Sequence, residues 1–310
     1  MDKYSLLNRI QKLYTEKGIN IMKFLKEECN EKCNDINDIL ISYDFQAGTY
    51  INEFYTDKQF FLDHLKRLSG IIEEIGGDCK SILECGTGEG ITLVPLLEMM
   101  NHTFERAKGI DISWSRIRYA QHFLNVYEKI KNNISFAVGD MFCLPCAENS
   151  FDIVFTHHAM EPNGGKEKEL LSELYRVTNK YLILLEPAYE LADFETQKRM
   201  DEHGYIKELY SSAKELGFEI VTWELYGKNH NDLNPTGLMI IKKNSRKENG
   251  SGEWGNPVTK SDLKKYSSVY YSEESLLAYP VIDDVPMLTK DNAVVATKFM
   301  EFHKGNDKPL

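Results

Sequence analysis

The stretch Ser81-Ile-Leu-Glu-Cys-Gly-Thr-Gly-Glu-Gly90 constrains the fold of this 310-residue chain more than any other segment. An apolar run of strand length ends at Gly86, and further glycines follow at Gly88 and Gly90. Because glycine lacks a Cβ, the backbone can turn sharply there and approach a ligand closely. The pattern predicts a buried strand, a tight turn, and a helix whose first N–H groups face that ligand.

Strand and helix patterns alternate through the rest of this region, which predicts an α/β protein with a doubly wound, mostly parallel sheet. Two later strands lie close together in sequence, so we expect them to form an antiparallel hairpin at one edge of a seven-stranded sheet. The predicted strands are 81–85, 107–112, 134–138, 151–156, 181–186, 218–226 and 238–242.

The spacing of the glycines distinguishes between two kinds of nucleotide-cofactor site. A dinucleotide-binding fingerprint reads G-x-G-x-x-G, but Ile91 occupies its last glycine position. With Glu84, the segment instead reads acid-x-G-x-G-x-G, which resembles the first motif of class I S-adenosylmethionine-dependent methyltransferases. A tight strand-to-helix turn without a ligand is the alternative for this motif alone.

Three further motifs follow in the order found in that family. Asp111 closes the second predicted strand, where a carboxylate can accept both ribose hydroxyls, although an acid there can also be a simple helix cap. Asp140, beside Met141, matches the position whose acid meets the adenine amino group, and residues 151–156 match the fourth-strand motif. The resemblance implies the class I methyltransferase fold, weaker toward residue 243, and S-adenosyl-L-methionine as cofactor. The implied cofactor-binding residues are Tyr43, Gln46, Tyr50, Glu84, Gly86, Gly88, Asp111, Ile112, Asp140, Met141 and His157.

Two histidines, His157 and His158, follow the fourth strand, where an acceptor would face the transferred methyl group. Either is a candidate general base, because methyl transfer to an alcohol benefits from a base of near-neutral pKa. The alternative is a packed or cofactor-contacting role. Polar side chains after the fourth and fifth strands are candidate substrate contacts, namely Glu161, Asn163, Glu186 and Tyr189.

The segment 43–50 precedes the glycine motif and carries Tyr43, Gln46 and Tyr50. In related enzymes this position often covers the cofactor, so these side chains are expected to close the site over the methionine moiety. A turn with packed aromatic side chains is the alternative.

We divide the chain into an N-terminal helical cap (1–70), a methyltransferase domain (71–243), a polar linker (244–256) and a small β-rich module (257–310). The module resembles the small zinc-ribbon-like proteins that activate RNA and protein methyltransferases as separate subunits. Where their metal-binding members have a cysteine before Pro-Val, this chain has Asn256, and no cysteine follows Cys146. We therefore expect no metal, and a module that shields an apolar edge of the catalytic domain or mediates homodimerisation. A terminal β-hairpin with no role of its own is the alternative.

Composition narrows the choice of partner and compartment. A formal net charge of −11 and a pI near 5.3 argue against a nucleic-acid-binding surface. The N-terminus lacks a signal peptide, no segment is apolar enough for a membrane span, and the six cysteines are poorly distributed for disulfides. A cytoplasmic protein without a membrane partner is expected.

These features together predict a methyltransferase acting on a small polar metabolite, with oxygen as the acceptor, such as a sugar or another precursor of a surface glycan. An RNA or protein methyltransferase is the second reading, prompted by the activator-like module. A non-catalytic module that binds S-adenosylmethionine is the third.

Overall fold

A seven-stranded sheet forms the centre of the computed structural model, which describes residues 2–31, 34–227, 231–244 and 254–304. The spatial order is β3-β2-β1-β4-β5-β7-β6, with β1 to β5 parallel and β7 antiparallel to both of its neighbours. The predicted doubly wound sheet and its edge hairpin are thereby confirmed. The strands are β1 (Ser81–Cys85), β2 (Arg106–Asp111), β3 (Ile134–Val138), β4 (Phe151–His157), β5 (Thr178–Pro187), β6 (Glu219–Leu225) and β7 (Thr236–Lys242).

Five α-helices precede the central sheet in the part of the chain that the structure describes. A capping box begins α3, because the Asp35 carboxylate accepts the Asp38 N–H and the Asp38 carboxylate accepts the Asp35 N–H. The buried Lys3 ammonium lies 2.8 Å from Asp35 and 2.9 Å from Asp38, which ties the N-terminus to this helix. The last helix continues through residue 70, so the expected domain boundary falls within a helix. The helices are α1 (Leu7–Lys17), α2 (Ile21–Cys29), α3 (Ile36–Phe45), α4 (Thr49–Thr56) and α5 (Lys58–Ile75).

Helices cover both faces of the sheet. Neighbouring residues of β1 point to opposite faces, so Ile82 packs in one hydrophobic cluster with Leu68 of α5, whereas Leu83 packs in the other with Leu171. Burial on both faces explains why the strands read as continuous apolar runs. The helices that follow β1 are α6 (Leu93–Met99), α7 (Trp114–Leu124), α8 (Glu167–Val177), α9 (Phe194–His203) and α10 (Leu209–Glu215).

A second, smaller sheet lies in the C-terminal region, as expected. It joins the edge of the central sheet, because Met287 pairs with Val138 in parallel and the Leu288 N–H donates to the Val138 carbonyl at 2.8 Å. The last strand of this sheet has only two residues, and a helix begins at Phe299. The elements are β8 (Lys264–Tyr266), β9 (Val269–Ser272), β10 (Leu277–Ile282), β11 (Val285–Pro286), β12 (Val294–Val295) and α11 (Phe299–Lys304).

Asn256 organises the start of this second sheet. Its fully buried side-chain oxygen accepts from the Val258 N–H at 2.7 Å, the Thr259 N–H at 3.2 Å and the Tyr279 hydroxyl at 3.0 Å. Its amide nitrogen donates to the Ser275 hydroxyl at 2.7 Å. Hydrogen bonds to the Asn256 side chain therefore hold the turn at the start of the second sheet. Most of the expected linker, residues 245–253, lies outside the described residues.

Within the described ranges, no helix has the length and apolar character needed to cross a bilayer. Cys79, Cys85, Cys143 and Cys146 form no disulfide within the described part of the chain.

Candidate active site

The glycine-rich loop after β1 forms the floor of the candidate site. Gly86 and Gly88 have φ values of +74° and +53°, which side chains other than glycine rarely adopt. The N–H groups of Gly86 and Thr87 both donate to the Ile110 carbonyl, at 2.7 and 2.9 Å, and bind the loop to β2. A Cβ on Gly86 would lie 2.2 Å from the Ala159 Cβ. The loop thus requires glycine for both its conformation and its packing.

Two glutamates fix this loop. Glu84 is buried beneath it and accepts a hydrogen bond from the Thr87 hydroxyl. Burial raises the pKa of Glu84 to about 8, so this carboxyl is mostly protonated at neutral pH. Glu89 lies within the loop, and its two oxygens accept the N–H groups of Gly48 and Ile51, each at 2.8 Å. Glu89 therefore joins the loop to the start of α4.

The carboxyl ends of β2 and β3 present two acids to the same side. One Asp111 oxygen accepts the Gly88 N–H and the other accepts the Ser113 N–H, both at 2.9 Å. Because a carboxylate has about four acceptor positions, each oxygen keeps one for a ligand hydroxyl. Asp140 accepts the Phe142 N–H at 2.9 Å, and burial raises the pKa of its carboxyl.

The two histidines after β4 differ in their surroundings. Nδ1 of His157 lies 3.0 Å from the Thr92 hydroxyl, and its ring stacks on that of His64 at 5.1 Å. Burial, with the nearby charges of His158 and His64, lowers the pKa of His157 well below its usual value. His157 is therefore neutral at pH 7.

His158 has both ring nitrogens engaged, at 2.8 Å from Glu161 Oε2 and 2.7 Å from the Thr236 hydroxyl. Burial lowers its pKa, but hydrogen bonding and the charge of Glu161 outweigh burial and raise the pKa above its usual value. Burial raises the pKa of Glu161, but hydrogen bonding and the charge of His158 outweigh burial and hold this pKa below its usual value. His158 and Glu161 thus form an ion pair in the wall of the site.

The cover segment, residues 43–50, lies over the loop. Its Asp44 carboxylate accepts the Ser113 hydroxyl at 2.8 Å and the Ser115 hydroxyl at 2.9 Å. The rings of Tyr43 and Tyr50 lie 4.4 and 4.5 Å from the Arg116 guanidinium carbon. These contacts hold the cover segment against the start of α7.

One cavity of about 870 Å³ connects these groups. Gln46 instead donates to the Ser42 hydroxyl, and the Tyr189 hydroxyl lies 3.4 Å from Asp201. Glu186 is fully buried and accepts the N–H groups of Ala159 and Met160, so it supports the segment after β4. These three candidates do not line the cavity. The candidates that do are Tyr43, Tyr50, Glu84, Gly86, Gly88, Asp111, Ile112, Asp140, Met141, His157, His158, Glu161 and Asn163.

Several cavity residues were not foreseen from sequence. Glu89 lies inside the glycine motif, and an acid between two loop glycines was the available signal. Arg116 follows Asp111 closely, but nothing in its local pattern separates a cavity residue from an exposed helical arginine. His64, Asn231 and Asn234 also line the cavity, from distant segments without a recognisable motif.

Comparison with known proteins agrees with this architecture. Residues 82–180 match the sequence family described as "Methyltransferase domain". Norajmaline N-methyltransferase of Rauvolfia serpentina is 29% identical over 116 residues, which cover 37% of this chain and 38% of that protein. The tRNA N(3)-methylcytidine methyltransferase Mettl2 of Drosophila melanogaster is 27% identical over 192 residues, which cover 59% of this chain and 58% of that protein. The chain thus spans only part of the length of these relatives.

A solved complex between the Haloferax volcanii Trm112 methyltransferase activator and a methyltransferase contains a chain of similar fold. Its TM-score is 0.51 at 16% sequence identity, and the match covers 66% of this chain and 98% of that chain. Together with the strand order of the central sheet, this match shows that the chain has the class I methyltransferase fold, with a methyltransferase domain at residues 82–180.

Proposed function

We propose that this protein is an S-adenosylmethionine-dependent methyltransferase that acts on a small polar molecule. The observation that carries the proposal is the convergence of the glycine-rich loop, Asp111 and Asp140 on one cavity, at the carboxyl ends of three adjacent strands. In open α/β sheets this is where nucleotide-containing ligands bind.

The residues present fit the cofactor. Asp111 has acceptor positions left for the two ribose hydroxyls, while Asp140, beside Ile112 and Met141, suits the adenine base. The cofactor supplies a methyl group made electrophilic by a positively charged sulfur. The protein has to exclude water from this group and align an acceptor with it.

The geometry gives His157 and His158 different roles in this proposal. His158 is paired with Glu161 and Thr236 through both ring nitrogens, so it is poorly placed to take a proton. His157 is neutral and lines the cavity, so it is the better placed of the two to accept a proton, although its lowered pKa makes it a weaker base than an ordinary histidine. His158 and Glu161 would instead orient a polar acceptor. The base assignment would be refuted if His157→Ala and His158→Ala both bind the cofactor and turn over substrate at the parent rate.

Oxygen is the proposed acceptor atom, in a sugar or another glycan precursor. The polar wall formed by Glu161, Asn231 and Asn234 supports a hydroxylated acceptor. The volume supports a small one, since about 870 Å³ lies within the range of roughly 300–1,000 Å³ typical of small-molecule sites. Both relatives are named for methylation of nitrogen, so finding the label on a nitrogen atom would refute the oxygen assignment.

RNA methylation is the second candidate, because one relative is a tRNA methyltransferase. The net charge of −11 and the exposed Glu53 and Asp57 at the cavity oppose it, since phosphates would be repelled. The activator-like module supports protein methylation as well as RNA methylation.

The test is to incubate the protein with S-adenosylmethionine bearing a deuterated methyl group and with small-molecule extract, total RNA or total protein. Mass spectrometry then locates the label. Label in the small-molecule fraction is expected, and label only in RNA or protein would favour the second reading. Cofactor binding without any transfer would favour the non-catalytic module.

The C-terminal module is proposed to be a metal-free, fused counterpart of the activator proteins that shields the β3 edge. The pairing of Met287 with Val138 supports this role, as does Trp254, which is buried with the Lys108 ammonium 3.8 Å from its ring centre. Homodimerisation through this module is the other role. Deletion of residues 257–310 is expected to lower stability or solubility. A fully soluble truncation of parent stability would contradict the shielding role, and sedimentation of the full chain would detect a dimer.

A further inference from the structure

Arg116 is a buried cation in the wall of the candidate site. It lies in the first turn of α7 and is 8% exposed. The rings of Tyr43 and Tyr50 both lie within 4.5 Å of the guanidinium carbon. Contacts with ring faces do not use the N–H groups of a guanidinium, so these groups still need hydrogen-bond acceptors.

Part of that donor capacity has no partner. The Nε–H donates to the Tyr43 carbonyl at 3.2 Å, and the guanidinium also hydrogen-bonds to the Tyr50 side chain, whereas Nη2 is buried without a hydrogen-bond partner among the described residues. Asp111 is the carboxylate with the strongest electrostatic effect on Arg116, but its two oxygens already accept the Gly88 and Ser113 N–H groups. A buried charge with an unsatisfied donor is costly, and native structures normally satisfy such a group. An anionic partner that is not part of the chain would do so.

The position of Arg116 indicates which anion. Its Nη1 lies 3.3 Å from where a Cβ on Gly88 would be, so the guanidinium borders the glycine-rich loop. We propose that Arg116 binds the carboxylate of the methionyl part of S-adenosylmethionine. This inference rests on the proposed cofactor. Guanidinium and carboxylate groups match in shape and charge, and the cofactor carries a single carboxylate.

The same contact links ligand binding to the cover segment. Arg116 holds Tyr43 through both its ring and its carbonyl oxygen, and it contacts the Tyr50 ring. A carboxylate on the guanidinium would fix the surface on which these tyrosines rest. Arg116 is thus a positioning residue for the cover segment as well as a ligand-binding residue.

Calorimetry tests the inference without any turnover. The probes are S-adenosylhomocysteine, which carries the carboxylate, and methylthioadenosine, which keeps the nucleoside but lacks the amino acid end. Arg116→Gln should weaken S-adenosylhomocysteine binding by roughly 10- to 100-fold, as expected for loss of a hydrogen bond to a charged group. Methylthioadenosine binding should change by less than about threefold, and Arg116→Lys should restore part of the difference. Equal losses for both probes, or no loss for either, would overturn the inference.

Arg118→Gln is the matched control on the same helix. Arg118 donates to Gln121 and to the Asp283 carbonyl and does not line the cavity, so its substitution should leave both affinities unchanged. If the Arg116 variants do not fold, the parent protein alone still tests the inference. It should bind S-adenosylmethionine at least tenfold more tightly than decarboxylated S-adenosylmethionine, and equal affinities would refute the carboxylate contact. Failure of the proposed methyl transfer would leave these binding results unaffected.

Discussion

Replacing Glu89 with glutamine should release the cover segment from the glycine-rich loop. Glu89 is 1% exposed, and its two oxygens accept the Gly48 and Ile51 N–H groups at 2.8 Å each. A glutamine oxygen can replace one of these contacts, but its NH₂ group then faces the second N–H. The loss of one hydrogen bond to a charged group costs about 1.5–3 kcal/mol.

This energy should appear first as local opening, because the two N–H groups lie at the start of α4, outside the central sheet. Hydrogen exchange at the Gly48 and Ile51 amides should accelerate by roughly 10- to 150-fold in Glu89→Gln, measured by NMR or mass spectrometry. If the whole chain unfolds cooperatively, the melting temperature should fall by about 2–5 °C.

The matched control is Glu105→Gln, which removes only an exposed ion pair with Lys80 and should leave both quantities nearly unchanged. Exchange rates at Gly48 and Ile51 that stay within twofold of the parent would refute the coupling. An equal acceleration in Glu105→Gln would do the same.

Three other substitutions have defined outcomes. Gly86→Ala should abolish cofactor binding, measured by calorimetry, because its Cβ would overlap the Ala159 Cβ. Gly165→Ala is the control, because Gly165 has a similar positive φ but open space around it, and this variant should lose only about 1–2 kcal/mol of stability. Equal losses of cofactor binding in the two variants would contradict the packing argument. Asn256→Ala should cost about 2–4 kcal/mol in urea unfolding through loss of its buried hydrogen bonds, and a cost below about 0.5 kcal/mol would exclude its structural role. Burial raises the pKa of Glu186 to about 7 from a usual value of 4.5, so between these pH values the folded state holds a proton that the unfolded state has lost. The free energy of unfolding should therefore fall as the pH rises from 4.5 to 7, by at most about 3 kcal/mol. Glu186→Gln should flatten this dependence, and an unchanged slope in urea unfolding from pH 4.5 to 8 would refute it.

The central sheet was predictable from sequence because its signals are local. The first three strands are short apolar runs, and a glycine or an acid follows or closes each of them, so Gly86, Asp111 and Asp140 could be placed without a structure. The parallel order follows from alternation with helices. The predicted boundary at residue 70 lies within α5, which packs Leu68 and Ile72 on the sheet.

The details of the site depended on contacts between distant segments. Glu186 follows a strand as predicted, yet it accepts N–H groups from Ala159 and Met160 instead of facing the cavity, and no local pattern reveals that choice. The same holds for the different environments of His157 and His158, which are adjacent in sequence but meet different neighbours.

The sequence by itself determined the α/β class, the strand that carries the glycine-rich loop, and the acids at the ends of β2 and β3. Tertiary structure alone decided that Glu89 holds the cover segment, that Arg116 lies between two tyrosines, and that Asn256 holds the start of the second sheet through hydrogen bonds. The physical reason is that strand and turn propensities act over a few neighbouring residues. The partner of a buried charge or amide is set by which remote segment packs against it.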